Sequence, residues 1–235
     1  MGDVLRILAA HQPNYHPWLG LFQKVAQADV WVLADDVQYS SPGFTNRNRI
    51  RTPAGWTWLT VPMRTGGRGG QPIAAVETAD DAWQRKHWQS IRHAYHQAPH
   101  FEAGGEALEA FYSDHTWRLL LDVNMELIRW LLGQFSIDVD VRFSSQLDLR
   151  QERTQRLVDM VRACDCDAYL AGDGGSRHYL RTECFEEAGI ELLFTDFQHP
   201  TYTQCHDGFE PYMSAVDLLL NYGPVGAREV LGLVA

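Results

Sequence analysis

The feature that most constrains the fold is the order of elements between residues 5 and 34. An apolar run at 5–10 precedes a loop at 11–20 that is rich in polar and aromatic side chains and contains Pro and Gly. Apolar residues then recur at helical spacing over 21–28, and a second apolar run covers 30–34. Strand, loop, helix and strand at these lengths are typical of a βαβ unit, whose two strands lie parallel. The chain is therefore predicted to be an α/β protein.

The rest of the chain shows the same alternation around a helical segment. Strands and helices are predicted, in order, at 137–143, 151–164, 169–171, 179–188, 190–194 and 213–220. Residues 37–62 are predicted to be rich in strand, with Asn46–Arg49 in a polar loop. We predict a single domain over residues 1–235, with a Rossmann-like, mainly parallel sheet and helices on both faces. A helical layer is inserted at about 80–135.

Composition and charge exclude several classes of protein. The net charge of −10 argues against binding bare DNA, which needs a basic face. No apolar run is long enough to cross a bilayer, and no secretory signal is evident. We expect a cytoplasmic protein with no membrane partner. The thiols of Cys164 and Cys166 are too close in sequence for the usual zinc site, so no metal site is expected.

Basic residues are concentrated in one part of this acidic chain. They are Arg47, Arg49, Arg51, Arg64, Arg68, Arg85 and Lys86. A locally positive region suits a phosphorylated or carboxylated small molecule, and a solvated surface of mixed charge is the alternative.

Three polar loops follow predicted strands, at Gln12–Gly20, Asp35–Gln38 and Gly172–Arg177. The carboxyl ends of parallel strands share one edge, where open α/β sheets bind ligands. We therefore predict one pocket, and the residues expected to line it are Gln12, Asp36, Asn46, Arg47 and Arg177. A Gly-rich turn before a helix can also hold a phosphate through its backbone N–H groups, which favours Gly172–Arg177. A simple βα turn without a ligand is the alternative.

Histidines supply the candidate general bases. His199 precedes Pro200 in a predicted loop, where it could transfer protons near neutral pH, or serve only in packing. His87 lies on the apolar stripe of a predicted helix, a position more typical of a buried histidine than of a catalyst, and Lys86 precedes it. Asp217 lies in an apolar helix and is predicted to anchor a nearby loop. The chain contains no G-x-S-x-G, H-E-x-x-H or Walker A motif.

Many uncommon residues occur in an order that resembles the WbqC-like family of bacterial proteins. The matching segments are Gln12-Pro13-x-Tyr15-x-Pro17-Trp18-x-Gly20-x-Phe22, Asp35-Asp36-Val37-Gln38, Asn46-Arg47-Asn48-Arg49-Ile50, Lys86-His87-Trp88, Tyr95-x-x-Ala98-Pro99-x-Phe101, Ser144-Ser145, Tyr169-Leu170-x-Gly172, Gly189-Ile190, His199-Pro200-x-Tyr202-x-Gln204, Phe209-x-Pro211-x-x-Ser214 and Asp217-Leu218-Leu219 to Asn221. The match covers nearly the whole chain. His16 departs from the pattern, where an apolar residue is expected.

The resemblance implies an acyl- or aminoacyl-transferring enzyme in polysaccharide or specialised-metabolite biosynthesis. Such an enzyme would form an amide on a nucleotide-linked amino sugar or another amine, with a group such as glycyl. The donor would be a carrier protein or an aminoacyl-tRNA. The candidate catalytic residues are His199, His16, Lys86 and His87. The candidate substrate-binding residues are Gln12, Tyr15, Asp36, Gln38, Asn46, Arg47, Gly172, Ser176, Arg177, Tyr202 and Gln204.

The N-terminal strand, Pro-x-x-Gly loop, helix and strand are also similar to the start of the nucleotidylyltransferase superfamily. This similarity implies an ATP-dependent ligase or nucleotidylyltransferase-like activity as an alternative, with ATP or an activated acyl donor as co-substrate. The superfamily's histidine pair would fall at Trp18 and Leu21, so His11 or His16 would have to replace it. A non-catalytic protein that binds a nucleotide-sugar or a partner is the third reading.

Overall fold

The structure is a computed structural model that describes residues 5–64, 66–174, 177 and 180–233. Contacts divide the chain into two compact units. The first unit comprises 1–12, 20–36 and 137–198, and the second comprises 13–19, 37–136 and 199–235. The predicted single domain over 1–235 stays a prediction.

The strands are β1 (Ile7–His11), β2 (Val30–Leu33), β3 (Arg47–Thr52), β4 (Gly55–Thr60), β5 (Asp140–Phe143), β6 (Ala168–Ala171) and β7 (Glu191–Phe194). The α-helices are α1 (Leu19–Val25), α2 (Ala82–Tyr95), α3 (Phe101–Ser113), α4 (Leu120–Gln134), α5 (Arg153–Ala163), α6 (Thr182–Glu186) and α7 (Ala215–Val230). Short 3-10 helices occupy Ile73–Ala75 and Ser144–Gln146. Among the described residues, no helix combines the length and the apolar character needed to cross a membrane.

The first unit contains a five-stranded sheet in the order β5-β2-β1-β6-β7, and every pairing in it is parallel. This confirms the predicted Rossmann-like α/β fold, and β1, α1 and β2 form the predicted βαβ unit. The strand order reverses at β1, because β2 lies on one side of it and β6 on the other. The carboxyl ends of β1 and β6 therefore define the switch point, where sheets of this kind bind ligands.

Burial of the central strands explains their sequences. All four residues of β2 and all four of β6 are buried, as expected for parallel strands covered on both faces. One core cluster joins Leu8, Val30 and Val32 of the sheet to Val158 of α5 and Phe185 of α6. Apolar burial of this kind supplies most of the free energy that stabilises the unit.

The second unit combines an antiparallel hairpin with helices. The predicted helical layer is confirmed as α2, α3 and α4, and the stripe of Trp83, His87, Ile91 and Tyr95 on α2 is buried. The end of the chain forms a longer helix than predicted, α7, which contains a kink at Gly223, where φ is 67°. In the first unit, α6 covers Thr182–Glu186 of the helix predicted over 179–188, of which residue 179 lies outside the described residues.

One local prediction is wrong: Asn46–Arg49 is not a loop, because Arg47 begins β3. Strand β3 pairs with β4 in the register Arg49↔Trp58 and Arg51↔Trp56. Arg and Asn do not by themselves favour strand, but cross-strand pairing with aromatic side chains stabilises it.

Candidate functional site

Arginine and tryptophan side chains alternate across one face of the hairpin. The guanidinium carbon of Arg47 lies 4.3 Å from the ring centroid of Trp58. That of Arg49 lies 5.1 Å from the centroid of Trp56 and 5.9 Å from that of Trp58. These are cation–π distances, and they hold each guanidinium against an aromatic face. We name Arg47, Arg49, Trp56 and Trp58 the Arg–Trp ladder.

The Arg–Trp ladder is accessible to solvent at its aromatic edge. Trp56 is 42% exposed and Phe44, whose ring centroid lies 6.1 Å from that of Trp58, is 53% exposed. Exposed rings beside cations offer stacking and charge together. The ladder can therefore bind a ligand that has both an aromatic ring and a negative charge.

Arg47 was predicted from the sequence as a binding residue, but its tryptophan partners were not. A signal was present, because Arg47, Arg49 and Arg51 alternate on one side of the Thr52–Gly55 turn and two tryptophans alternate on the other. In a hairpin, such alternation places all of these side chains on one face.

His199 is linked to the Arg–Trp ladder by hydrogen bonds through Tyr212. Arg49 Nη2 donates to the carbonyl of Tyr212 at 3.2 Å, and the N–H of Tyr212 donates to His199 Nε2 at 3.0 Å. The Nδ1–H of His199 then donates to the carbonyl of Pro200 at 2.8 Å. Burial lowers the pKa of His199, so the ring is neutral at pH 7 and has the form that a general base needs. Its predicted role in proton transfer stays a prediction.

A chain of hydrogen bonds runs through the interior of the second unit. Its members, in order, are Ser214, His16, Tyr112, Tyr15 and His87. The first link joins Ser214 Oγ to His16 Nδ1 at 3.3 Å, and His16 Nε2 lies 2.7 Å from the Tyr112 hydroxyl. The two hydroxyls of Tyr112 and Tyr15 lie 2.6 Å apart, and that of Tyr15 lies 2.8 Å from His87 Nδ1.

Both histidines of this chain of hydrogen bonds are buried. Burial lowers the pKa of His87 to about 4 and that of His16 to about 3. Both are neutral at pH 7, and His16 has the left-handed backbone that any non-glycine residue adopts at a cost, with φ 45°. The catalytic role predicted for each stays a prediction.

Asp217 organises a second buried network. Its carboxylate accepts from the Tyr95 hydroxyl at 2.9 Å, the Tyr202 hydroxyl at 2.7 Å and the amide of Gln204 at 2.9 Å. Burial raises the pKa of Asp217, and these donors oppose the shift. The geometry agrees with the expectation that Asp217 anchors a loop, here the segment 201–208.

Tyr202 and Gln204 also line a cavity of about 570 Å³ along segment 201–208. Gln204 Oε1 accepts from Arg51 Nε at 3.1 Å and from the N–H of Glu210 at 2.9 Å, and its amide donates to Glu210 as well. The polar groups of Tyr202 and Gln204 are thus engaged within the protein. Their predicted contact with substrate stays a prediction.

In the first unit, polar side chains line the carboxyl edge of β2 and β5. Asp35 accepts from the N–H of Ser145 at 3.0 Å and from its hydroxyl at 2.7 Å. Asp36 pairs with Arg156 and accepts from the hydroxyl of Ser144. Although burial raises the pKa of Asp36, these hydrogen bonds together lower it below its ordinary value. The side chain of Asp36 is therefore a paired carboxylate.

The loop after β6 is anchored on β7. The N–H of Asp173 donates to Thr195 Oγ1 at 3.1 Å, and the side chain of Asp173 pairs with Arg177. Arg177 also lies 4.1 Å from the ring centroid of Phe194. A Cβ added to Gly172 would meet no atom within 4 Å, so open space adjoins the end of β6. Ser176, predicted to bind substrate, lies outside the described residues.

The remaining predicted residues are divided between the two units. Gln12 is half-buried at the end of β1, and Lys86 and Gln38 are exposed. Asn46 is buried and donates to the carbonyl of Val61 at 2.9 Å. Gln12, Asp36 and Arg177 belong to the first unit, whereas Asn46 and Arg47 belong to the second. The shared pocket predicted for them stays a prediction. Within the described residues, no cluster of His, Cys, Asp or Glu could hold a metal ion.

The parallel sheet with a switch point and a polar carboxyl edge places the first unit in the Rossmann-like class of α/β folds. Residues 12–229 match the WbqC-like protein family, and the chain belongs to that family. A curated relative, described as an uncharacterised protein of Mycobacterium tuberculosis, is 30% identical over 220 residues. That alignment covers 93% of this chain and 95% of the relative. No solved structure matches the chain.

Proposed function

We propose that this protein is an acyl- or aminoacyl-transferring enzyme that forms an amide on the amine of a nucleotide-linked amino sugar. The observation that carries the proposal is the Arg–Trp ladder. A nucleotide offers a base that can stack on Trp56 or Phe44 and phosphates that can accept from Arg47 and Arg49. The negative charge of the whole chain favours such a small ligand over a nucleic-acid polymer.

The chemistry requires a base and an activated acyl group. The amine nitrogen attacks the donor's carbonyl carbon, a C–N bond forms, and the thiol or hydroxyl of the donor leaves. The amine loses one proton, which neutral His199 accepts at Nε2 and passes to the leaving group. Before this step, His199 Nε2 must lose the hydrogen bond that it accepts from the N–H of Tyr212 and accept one from the substrate amine instead.

Replacement of Arg47 by Ala is expected to weaken binding of uridine diphosphate by roughly 10- to 100-fold. A charge-assisted hydrogen bond contributes ~1.5–3 kcal/mol, and the side chain leaves no core cavity. Titration calorimetry on the full chain measures the affinity, with thermal unfolding as a check of folding. The matched control is Arg129→Ala, which removes an exposed arginine of α4. Equal affinities in the two variants would show that Arg47 belongs to an ordinary solvated surface.

Replacement of His199 by Gln is expected to reduce turnover by ~10²–10⁴ with little change in affinity for uridine diphosphate, as for loss of a general base. The assay follows amide product by mass spectrometry, with a glycyl thioester and glycyl-tRNA as donors and a UDP-linked amino sugar as acceptor. Product that forms only with added ATP would replace this proposal by an ATP-dependent ligase. Tight nucleotide binding without product from any donor would favour the non-catalytic binding protein.

A further inference from the structure

A buried lysine lies where the strand order of the sheet reverses. The register of β1 with β6 runs from Ile7↔Ala168 to Ala9↔Leu170. The next carbonyl of β1, that of Ala10, accepts from Lys24 Nζ at 3.1 Å. The ammonium group therefore stands at the point where the two central strands stop pairing.

The ammonium group of Lys24 has few partners for a buried cation. Lys24 is 7% exposed, and in the described part of the chain its side chain makes one hydrogen bond, lies 5.9 Å from the ring centroid of Tyr169 and makes no ion pair within 4.0 Å. An ammonium group carries three N–H donors, and removal from water of a charge without an anionic partner is costly. Burial accordingly lowers the pKa of Lys24 to about 8. A negatively charged ligand would supply the missing partner.

Open space and backbone geometry at the same edge complete the site. Gly172 directly follows β6, and no atom lies within 4 Å of a Cβ added there. His11 ends β1, and its Nδ1 is engaged with the carbonyl of Gln12 at 2.8 Å. The carboxyl edge of β1 and β6 thus combines the buried ammonium group of Lys24 with open space beside Gly172.

We propose that the crevice between the carboxyl ends of β1 and β6 binds a phosphoryl group, with Lys24 as its charged partner. A lysine serves as a point charge for phosphate, and the N–H groups of Gly172 and Gly174 are those that could take the remaining oxygens, because that of Asp173 donates to Thr195. The site belongs to the first unit, whereas the Arg–Trp ladder belongs to the second, so the inference does not depend on the proposed amide-forming activity.

The matched control for Lys24→Met is Arg129→Met, which removes an exposed cation of α4. The probes are pyrophosphate, ADP and UDP, titrated by calorimetry into the unchanged chain, Lys24→Met and Arg129→Met. We expect at least tenfold weaker binding of pyrophosphate to Lys24→Met, unchanged binding to Arg129→Met, and a melting temperature of Lys24→Met equal to or above that of the unchanged chain. If the unchanged chain binds ADP or UDP but not pyrophosphate, and Lys24→Met loses that binding, the phosphoryl group is part of a nucleotide.

A second measurement decides the matter if Lys24→Met fails to fold. Acetylation of the unchanged chain, mapped by mass spectrometry, should show Lys24 protected by pyrophosphate and Lys86 modified equally with and without it. Absence of protection, or equal pyrophosphate affinity in folded Lys24→Met, would overturn the proposal. Arg47→Ala is titrated in parallel: if pyrophosphate binding is lost there but kept in Lys24→Met, the anion belongs to the Arg–Trp ladder and not to the crevice.

Discussion

Acidification below pH 6.5 is expected to unfold this protein through three buried histidines, His11, His16 and His87. Burial lowers their pKa values to about 4, about 3 and about 4, respectively, with the charge of Lys24 adding to the effect on His11. Between pH 6.5 and these values the unfolded chain binds more protons than the folded chain. The free energy of unfolding therefore has its full value above pH 6.5 and decreases as the pH falls below 6.5.

The expected loss is large compared with the stability of a typical domain. Each pKa unit corresponds to ~1.4 kcal/mol of folding free energy. The lowered pKa values of the three histidines therefore correspond, taken together, to a change on the order of 10 kcal/mol in the free energy of unfolding. Total stabilities are ~5–15 kcal/mol, and unfolding should precede full titration of these groups. Urea unfolding at a series of pH values between 8 and 4 measures the effect.

Histidine variants test this assignment. His87→Gln should flatten the dependence of the free energy of unfolding on pH by about one proton, because one buried site is removed. His93→Gln, which alters an exposed histidine of the same helix, should leave the dependence unchanged. A free energy of unfolding that stays constant from pH 6.5 to 5 would show that these rings are accessible to water in the folded protein.

Replacement of Asp217 by Ala is expected to reduce the free energy of unfolding by ~3–5 kcal/mol. The substitution leaves the hydroxyls of Tyr95 and Tyr202 and the amide of Gln204 without their acceptor. Each unsatisfied buried donor costs ~1–3 kcal/mol, and the loss of one member of a buried charged network has effects of this total size. Equilibrium unfolding in urea gives the value.

Asp114→Ala is the matched control, because Asp114 is an exposed residue at the end of α3. It should change the free energy of unfolding by less than ~0.5 kcal/mol. If Asp217→Ala is equally mild, water must reach the three donors and the network must be less closed than its geometry indicates. Proteolysis within 201–208 should increase in Asp217→Ala, since that loop loses its anchor.

Short-range patterns in the sequence were enough to predict the sheet and the helices. Burial explains the apolar runs at β1 and β2 and the spacing of Trp83 and Ile91 on α2. Side chains that face the core recur at the period of the strand or helix that carries them, so the pattern can be detected in the sequence. Asp217 could be interpreted in the same manner, because a carboxylate inside an apolar helix needs partners wherever it lies.

Pairing across distant segments was decided only by the tertiary structure. The Arg47–Arg49 segment is a strand because β4 lies beside it, and no local propensity indicates this. The histidines His16 and His87 are neutral because tyrosines far along the chain enclose them. Lys24 looks like a surface residue on a short helix, and its burial at the switch point depends on where β6 pairs with β1. Charge and hydrogen bonding at a site depend on which residues meet, and contacts between residues so far apart in the chain leave no periodic trace in the sequence.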